Sequence, residues 1–384
     1  MVQINKKLAL LFSGDFPEGN TKNARLKAIA SSLSDQDWDS TFISVMPARF
    51  SKNLSYSQPK QWHGFTIKFS SISRKYPPFF ILRLFQVAVG HLGMIAFILF
   101  RSKKYDLLYF YNPRWTDTLP SLILSSWLGR KTVVDQTELF STGKNKNIHL
   151  SEERLVSKHA TKVFAISNSI QMHFQSSRKD KVELFPILVD FNRFDRKRAE
   201  QQFLMGYIGS FAAKDGVYML LDAISLLIPQ LPQIKLRLIG HNPKLQELVA
   251  EVASRGLADY VEVTGTVTFQ DIPCLLQECD TLIMNRDSSA FASFGYPIKL
   301  GEYFACKKPV LMSNGGGFSD DFEDRNQVYK YTVDSAESLS NTLLYRYDNV
   351  EESDAVAKRG YLFAKDHFDS RTIGPLVAKI FREI

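Results

Sequence analysis

Short apolar runs that alternate with helix-length segments are the feature that most limits how this chain folds. The apolar runs of its first half lie at residues 8–13, 40–46, 106–112, 131–136 and 162–167. Stretches long enough for helices, beginning with residues 21–33, separate these runs. Strand, helix and strand in this order predict a parallel sheet with right-handed crossovers.

The same alternation restarts after a charged joint at residues 195–200. A chain of 384 residues exceeds what one hydrophobic core usually serves, so two domains are expected. We predict an α/β protein with two Rossmann-like, doubly wound domains that face a central cleft. The predicted domains are residues 1–195 and 196–365, with residues 366–384 as a C-terminal helix able to cross back to the first domain.

Positive charge is concentrated in the first half of the chain. Residues 1–195 carry 27 Lys+Arg and 15 Asp+Glu, whereas residues 196–384 carry 21 and 25, so the halves contribute +12 and −4 to the net charge of +8. A basic half suits nucleic acid, an anionic membrane or a phosphorylated substrate, and charge alone does not choose among them. A merely solvated basic surface is a further interpretation.

The apolar stretch at residues 79–100 approaches the length of a membrane span. Three polar side chains interrupt it, so we do not assign it as transmembrane. Arg101, Lys103 and Lys104 follow it, a pattern that also suits a helix resting at an anionic bilayer surface. Of the two interpretations, we favour a helix buried against the sheet.

The cysteines and the N-terminus indicate a cytoplasmic protein. Cys274, Cys279 and Cys306 form no CxxC pair and leave an odd thiol, which argues against a disulfide framework or a zinc site. The apolar run at residues 8–12 is too short for the core of a secretion signal. We therefore expect a cytoplasmic protein, with peripheral contact at the inner face of the cell membrane as the variant that the basic half allows.

The stretch at residues 294–310, FGYPIKLGEYFACKKPV, carries the clearest chemistry. Gly295 and Pro297 suit a turn and an early helix position, where free backbone N–H groups face a ligand crevice. Lys299 adds a cation, and Glu302, one turn further on, adds a carboxylate that can accept two hydroxyl hydrogens. Together they suit a sugar diphosphate. The alternative is a surface helix with an ion pair between Lys299 and Glu302.

This stretch resembles the donor-binding segment of retaining glycosyltransferases of the GT-B fold, family 4 type (glycosyl transferases group 1). Residues 207–217 are similar to the family's phosphate loop, and residues 263–267 to its base pocket. The first half resembles the family more loosely, at residues 16–20 with Arg25, 165–168 and 185–190. The resemblance implies an acceptor-side first domain and a donor-binding second domain.

The resemblance also implies residue roles. Lys214 and Lys299 would be catalytic, because they would neutralise the diphosphate as it leaves, and Glu302 would hold the nucleotide ribose. The other donor-binding residues would be Gly209, Ser210, Arg286, Gly295, Tyr296 and Pro297. Residues on the acceptor or phosphate side would be Gly19, Tyr111, Asn112 and Glu138, although a carboxylate capping a helix or loop is an alternative for Glu138.

Three departures from the family pattern bear on these roles. Phe294 stands where the family often has the first of two glutamates, so sugar recognition must differ. Ser210 stands where an arginine often follows the loop glycine, and Arg286 is a candidate substitute for that charge. Tyr111 and Asn112 occupy the strand end that often carries a histidine, which leaves no ordinary base there.

The resemblance implies a retaining hexosyltransferase that moves sugar from a UDP- or GDP-sugar to a glycan or lipid-linked acceptor, in cell-surface polysaccharide or glycolipid synthesis. We expect no metal, no cofactor besides the substrate nucleotide sugar, and no nucleic-acid partner. Two alternatives stay open, a non-catalytic nucleotide-sugar binder or scaffold and a sugar-nucleotide epimerase. A dinucleotide oxidoreductase is disfavoured because no GxGxxG follows the first strand.

Overall fold

The computed structural model describes residues 6–13, 21–45, 61–62, 64–70, 79–142, 145–194, 203–212, 215–240, 242, 244–288 and 294–384. The chain divides into two compact units. Unit 1 consists of Met1–Leu188 together with Ile373–Ile384, and unit 2 of Val189–Thr372. Both units are built on mainly parallel sheets, as the alternation of apolar runs and helices predicted.

Unit 1 contains an eight-stranded sheet in the order β3-β4-β2-β1-β5-β6-β7-β8. Its strands are β1 (Lys6–Phe12), β2 (Trp38–Ser44), β3 (Gln61–Trp62), β4 (Phe65–Phe69), β5 (Leu107–Tyr111), β6 (Thr132–Gln136), β7 (Lys162–Ala165) and β8 (Val182–Leu184). Only the short β3–β4 pair is antiparallel among these strands. Leu8–Phe12 are buried without a break, which is typical of a parallel strand covered on both faces.

Six helices accompany this sheet in the described part of unit 1. They are α1 (Thr21–Ser34), α2 (Phe80–Phe100), α3 (Leu119–Trp127), α4 (Lys146–His159), α5 (Asn168–Arg178) and α12 (Gly374–Glu383). Helix α12 packs beside α1, and its Phe381 ring contacts Trp38 at 5.9 Å and stacks on Tyr109 at 6.0 Å between ring centroids. Residues 374–383 therefore complete the core of unit 1.

Unit 2 contains a six-stranded parallel sheet in the order β11-β10-β9-β12-β13-β14. Its strands are β9 (Leu204–Ile208), β10 (Lys235–Ile239), β11 (Val261–Gly265), β12 (Thr281–Met284), β13 (Val310–Ser313) and β14 (Tyr329–Tyr331). Its helices are α6 (Val217–Leu227), α7 (Leu245–Ser254), α8 (Ile272–Gln277), α9 (Ile298–Ala305), α10 (Ala336–Asp348) and α11 (Val350–Phe368). The strand order reverses between β9 and β12, and ligands of open α/β sheets bind at such a switch point.

Helix α2 forms where the long apolar stretch predicted a helix. One face, with Met94, Phe97 and Ile98, is buried against unit 1. The opposite face is exposed, with Phe85 66% and Phe100 78% accessible. The favoured interpretation of a buried helix is therefore wrong for that face. Among the residues with described structure, no helix has the length and apolar character that crossing a bilayer requires.

Gly240, directly after β10, should not tolerate a side chain. Its φ is +141°, and a Cβ there would lie 1.9 Å from the carbonyl oxygen of Gly209. We expect Gly240→Ala to lower the free energy of unfolding by about 3 kcal/mol, because backbone strain and overpacking add. Denaturant unfolding followed by far-UV circular dichroism measures the loss.

The matched control for this substitution is Gly256→Ala. Gly256 also has a positive φ, +70°, but nothing lies within 4 Å of a Cβ built there. The control should lose only the backbone strain, about 1 kcal/mol. Equal losses in the two variants would show that the close approach of Gly240 to Gly209 is unimportant.

Candidate functional site

Two segments meet at the switch point of the unit 2 sheet. One is the loop from Gly209 to Gly216 after β9, and the other begins at Asn285 after β12. The Asn285 Nδ2 donates to the backbone oxygens of Asp215 at 3.0 Å and Gly216 at 3.4 Å. Gly216 has a φ of +56°, and a Cβ there would lie 2.5 Å from that same nitrogen, so the contact requires glycine.

Lys299 lies in the first turn of α9 and reaches the carboxyl end of β9. Its Nζ donates to the Tyr207 hydroxyl at 2.7 Å and to the Ile208 carbonyl at 3.0 Å. The same nitrogen lies 3.6 Å from Asp215 Oδ1. These contacts hold a mostly buried cation beside the loop in which the phosphate site was predicted.

Asp215 is a site residue that the sequence analysis did not single out. Its Oδ2 accepts hydrogen bonds from the Ser210 hydroxyl at 3.2 Å and from the Ala212 N–H at 3.1 Å. Burial acts to raise the pKa of this carboxyl, but Lys299, Arg286 and a hydrogen bond from Tyr207 outweigh it, so the pKa lies below its ordinary value. The loop therefore holds a buried carboxylate among two cations.

Arg286 follows β12 and contributes the second cation. The Ser313 hydroxyl accepts from its N–H and donates to its carbonyl, both at 3.0 Å, which fixes the backbone. Its buried Nε has no hydrogen-bond partner among the described residues. A buried guanidinium N–H without a partner suits an anionic ligand.

Glu302 is buried in α9, and its ion-pair partner is Arg193, which the sequence analysis also missed. Arg193 Nη1 lies 3.6 Å from Glu302 Oε1, and its Nη2 donates to the Phe269 carbonyl at 2.8 Å. Burial raises the pKa of Glu302, against the opposing effects of Arg193 and Lys299. Since the Lys299 and Glu302 side chains are only 13% and 11% exposed, the alternative of a surface ion pair is wrong.

The residues that precede α9 are anchored by aromatic packing. The Tyr296 ring lies 5.8 Å from both Phe318 and Phe368 between centroids, and burial raises the pKa of its hydroxyl, which donates a hydrogen bond to Asp321. These contacts hold the partly buried Tyr296 side chain in place. Pro297 has extended backbone angles and directly precedes the helix, with Gly295 two residues before it.

The acceptor-side candidates lie at the carboxyl edge of the unit 1 sheet. Asn112 accepts from the Thr137 N–H at 2.8 Å and donates to its Oγ1 at 2.7 Å, and that hydroxyl donates to Tyr111 at 3.0 Å. These bonds tie the end of β5 to the end of β6. Glu138 follows, half-buried. The two remaining candidates, Gly19 and Lys214, lie outside the described residues.

The structure thus groups most of the predicted donor-binding residues. Ser210, Lys299 and Arg286 lie around Asp215 in unit 2, with Gly209 directly before Ser210 and Glu302 one turn further along α9. Tyr111, Asn112 and Glu138 form a separate group in unit 1. The two partners that were missed, Asp215 and Arg193, are charged residues whose role depends on contacts between distant parts of the sequence.

Comparisons with known proteins agree with this fold. Residues 189–363 match the family model Glycosyl transferases group 1. No curated protein matches the sequence. HepE of Anabaena, solved with UDP, is 19% identical with a TM-score of 0.75, covering 98% of this chain and 100% of its own. Sucrose-phosphate synthase of Thermosynechococcus elongatus is 15% identical with a TM-score of 0.74, covering 98% of each chain.

A third solved structure is WaaG, a glycosyltransferase involved in lipopolysaccharide biosynthesis. It is 16% identical with a TM-score of 0.70, covering 97% of this chain and 99% of its own. Similarity at this level of identity establishes the fold. The protein accordingly has the GT-B fold, and residues 189–363, which lie within its second unit, match the model of the family Glycosyl transferases group 1.

Proposed function

We propose that the protein is a retaining glycosyltransferase of the hexosyltransferase type that uses a UDP- or GDP-sugar. The observation that carries this proposal is the position of Lys299 at the end of β9, with Glu302 one turn further along the same helix. Both side chains are inside the segment that matches the family model. A cation beside a loop and a carboxylate beyond it suit a diphosphate followed by a ribose.

The proposed chemistry is stabilisation of the departing nucleoside diphosphate. The bond from the sugar C1 to the phosphate oxygen breaks, and a bond from C1 to the acceptor oxygen forms on the same face. The acceptor proton passes to the leaving phosphate, so no protein base is needed. Lys299 and Arg286, with Lys214, would stabilise the charge that develops on this phosphate.

Glu302 would accept hydrogen bonds from the two ribose hydroxyls, and Gly295 and the Tyr296 backbone would face the sugar or its phosphates. A UDP donor is supported by HepE, which has been solved with UDP-glucose. On the acceptor side, Tyr111, Asn112, Glu138 and Gly19 would contact a glycan or lipid-linked acceptor. Glu138 would orient the hydroxyl that attacks.

We further propose that the reaction serves synthesis of a cell-surface polysaccharide or glycolipid at the cytoplasmic face of the membrane. The lipopolysaccharide role of WaaG supports this assignment. Transfer would need no metal ion and no cofactor besides the donor. Addition of EDTA should therefore leave the rate unchanged, whereas a loss that Mg²⁺ or Mn²⁺ restores would contradict metal independence.

The experiment that tests the function is donor binding followed by turnover. UDP or GDP species should raise the melting temperature. At a ligand concentration about 100 times Kd, binding should increase the free energy of unfolding by about 2.7 kcal/mol. Release of free nucleotide in the presence of glycan or glycolipid acceptors then measures transfer. Binding without release would support the non-catalytic binder, and a changed sugar still attached to its nucleotide would support the epimerase.

Donor affinity should also depend on the protonation of Glu302. Because burial raises the pKa of this carboxyl, it takes up a proton at a higher pH than an ordinary glutamate and can then no longer accept from both ribose hydroxyls. The Kd for UDP-glucose should therefore rise as the pH falls through this raised pKa. Calorimetric titration at a series of pH values measures the effect.

The control for this pH dependence is Glu302→Gln. UDP-glucose is a suitable ligand because its diphosphate has no ionisation in the range of interest. The variant should bind more weakly than the wild type and show a flat Kd over the same pH range. A variant that keeps the wild-type pH dependence would exclude Glu302 as the titrating group.

A further inference from the structure

Helix α2 presents an apolar face to solvent along its whole length. Every exposed side chain that the structure describes on this helix is apolar. We call Ile81, Phe85, Leu92, Leu99 and Phe100 the apolar face, because these large side chains are all exposed, Leu92 by 65% and Phe100 by 78%. A surface helix of a globular protein usually turns polar residues outward, so this face has the character of a contact surface.

The opposite side of α2 is firmly packed in unit 1. A Cβ on Gly90 would lie 2.5 Å from the Val45 carbonyl oxygen, and one on Gly93 would lie 2.1 Å from that of Ser70. These glycines let the helix backbone approach its neighbours closely. The apolar face is therefore held in a fixed orientation.

Two further apolar side chains are exposed at the end of α3. Trp127 is 74% exposed, and Leu128 follows it with an exposed side chain. The Arg130 Nε donates to the Ser102 hydroxyl at 3.1 Å, so the end of α3 lies beside the end of α2. An exposed aromatic side chain, whose ring lies 6.4 Å from that of His159 between centroids, thus stands near the C-terminal end of α2.

Exposed basic residues border this same end. Arg101, Lys103, Lys104 and Lys131 are all exposed there. The sequence from residue 40 to residue 105 contains ten Lys+Arg and no Asp or Glu. The exposed carboxylate of Asp106 directly follows this range, so the border is mainly cationic. Apolar side chains with a mainly cationic border are complementary to an anionic lipid surface.

We propose that the apolar face of α2 docks onto an anionic phospholipid bilayer, with the helix lying in the plane of the interface. At a rise of about 1.5 Å per residue α2 is about 30 Å long, so it would place apolar side chains over a wide area of one leaflet. Trp127 would sit at headgroup depth, where tryptophan is enriched. A bilayer fits better than a protein partner, since protein interfaces combine an apolar centre with hydrogen-bonding groups, whereas the exposed side chains described on α2 are all apolar.

This proposal deepens the proposed function by naming the membrane partner, and it is tested without donor or acceptor. The test is flotation of the full chain with vesicles of phosphatidylcholine, with and without phosphatidylglycerol. The wild type should float with the anionic vesicles and much less with the neutral ones. Phe85→Ser with Leu92→Ser should lower the bound fraction about tenfold, and Lys103→Gln with Lys104→Gln should remove the preference for anionic lipid.

The matched control is Met172→Ser with Leu376→Ser, two exposed apolar side chains of unit 1 outside this surface. The control should float like the wild type, and all variants should keep the wild-type melting temperature because each altered side chain is exposed.

The proposal would be overturned if the wild type stayed in solution with both kinds of vesicle. It would also be overturned if the variant Phe85→Ser with Leu92→Ser floated as well as the wild type. Self-association that this variant abolishes, without vesicle binding, would assign the surface to a second copy instead. Because flotation requires no turnover, an inactive protein that floats would contradict only the transferase proposal.

Discussion

Replacing Lys299 with alanine should lower kcat/KM by about 10²–10³-fold and reduce the thermal stabilisation by nucleotide sugar. The Lys299 Nζ lies 3.0 Å from the Ile208 carbonyl and 3.6 Å from Asp215, beside the loop expected to hold the diphosphate. A donor phosphate would share this cation with Asp215. Because charge on that phosphate grows in the transition state, the loss should affect turnover more than binding of the ground state.

Lys299 also balances a buried carboxylate, so a structural contribution must be separated from the proposed catalytic one. Lys299→Ala leaves Asp215 with less compensating charge and should lower the melting temperature of the ligand-free protein. The double variant Lys299→Ala with Asp215→Asn should regain that temperature without regaining turnover. If the double variant regains both, Lys299 acts only on stability and the catalytic assignment fails.

A second lysine of unit 2 supplies the matched control. Lys235 begins β10, at the amino edge of the same sheet and so opposite the site, and its Nζ donates to the Asp259 carbonyl. Lys235→Ala removes one positive charge from unit 2 as Lys299→Ala does. It should leave both donor binding and turnover close to wild type. An equal loss in the two variants would mean that general charge, rather than the position of Lys299, supports activity.

The alternation of apolar runs was enough to predict two parallel-sheet units, because strands covered on both faces leave continuous hydrophobic runs. The sequence also predicted that Lys299 and Glu302 lie one turn apart on a helix, because this spacing depends only on local sequence. Their ion-pair partners are not local. Arg193 precedes Glu302 by more than a hundred residues, and only the folded chain brings the two together. The functional roles of these residues stay predictions.

The orientation of α2 could not be derived from periodicity. A helix that is apolar on nearly every side gives no contrast between a buried and an exposed face. The structure resolves the ambiguity through two glycines, Gly90 and Gly93, which mark the side that approaches the rest of unit 1. Small residues on one side of an apolar helix were the available signal, and the sequence analysis drew no orientation from them.

Arg25 is a second residue whose contacts depend on distant parts of the sequence. It was grouped with the family's opening loop, and it lies in the predicted helix α1 with no exposed surface. Its Nε lies 2.7 Å from Asp135 Oδ2 and its Nη2 lies 2.9 Å from Oδ1, while its Nη1 donates to the Pro186 carbonyl at 2.7 Å. Burial acts to lower the pKa of this guanidinium, but Asp135 outweighs it and raises the pKa. This bidentate pair joins α1, β6 and the segment after β8.

Arg25→Met should therefore destabilise unit 1 by about 3–5 kcal/mol, because it leaves the Asp135 carboxylate buried without a counter-charge. All four tryptophans, among them Trp38 in the unit 1 core, precede residue 189, so tryptophan fluorescence during urea unfolding reports this unit. The double variant Arg25→Met with Asp135→Leu should recover much of the loss, since apolar groups of similar volume can replace a buried ion pair.

The matched control for the buried pair is the partly exposed pair between Lys162 and Glu183, whose atoms lie 2.9 Å apart with side chains 28% and 33% exposed. Lys162→Met should change the stability by less than about 1 kcal/mol, because water screens both charges before and after the change. A similarly small change in Arg25→Met would mean that water reaches Asp135 once the guanidinium is gone. The pair would then contribute to the geometry of the β6 end rather than to the stability of unit 1.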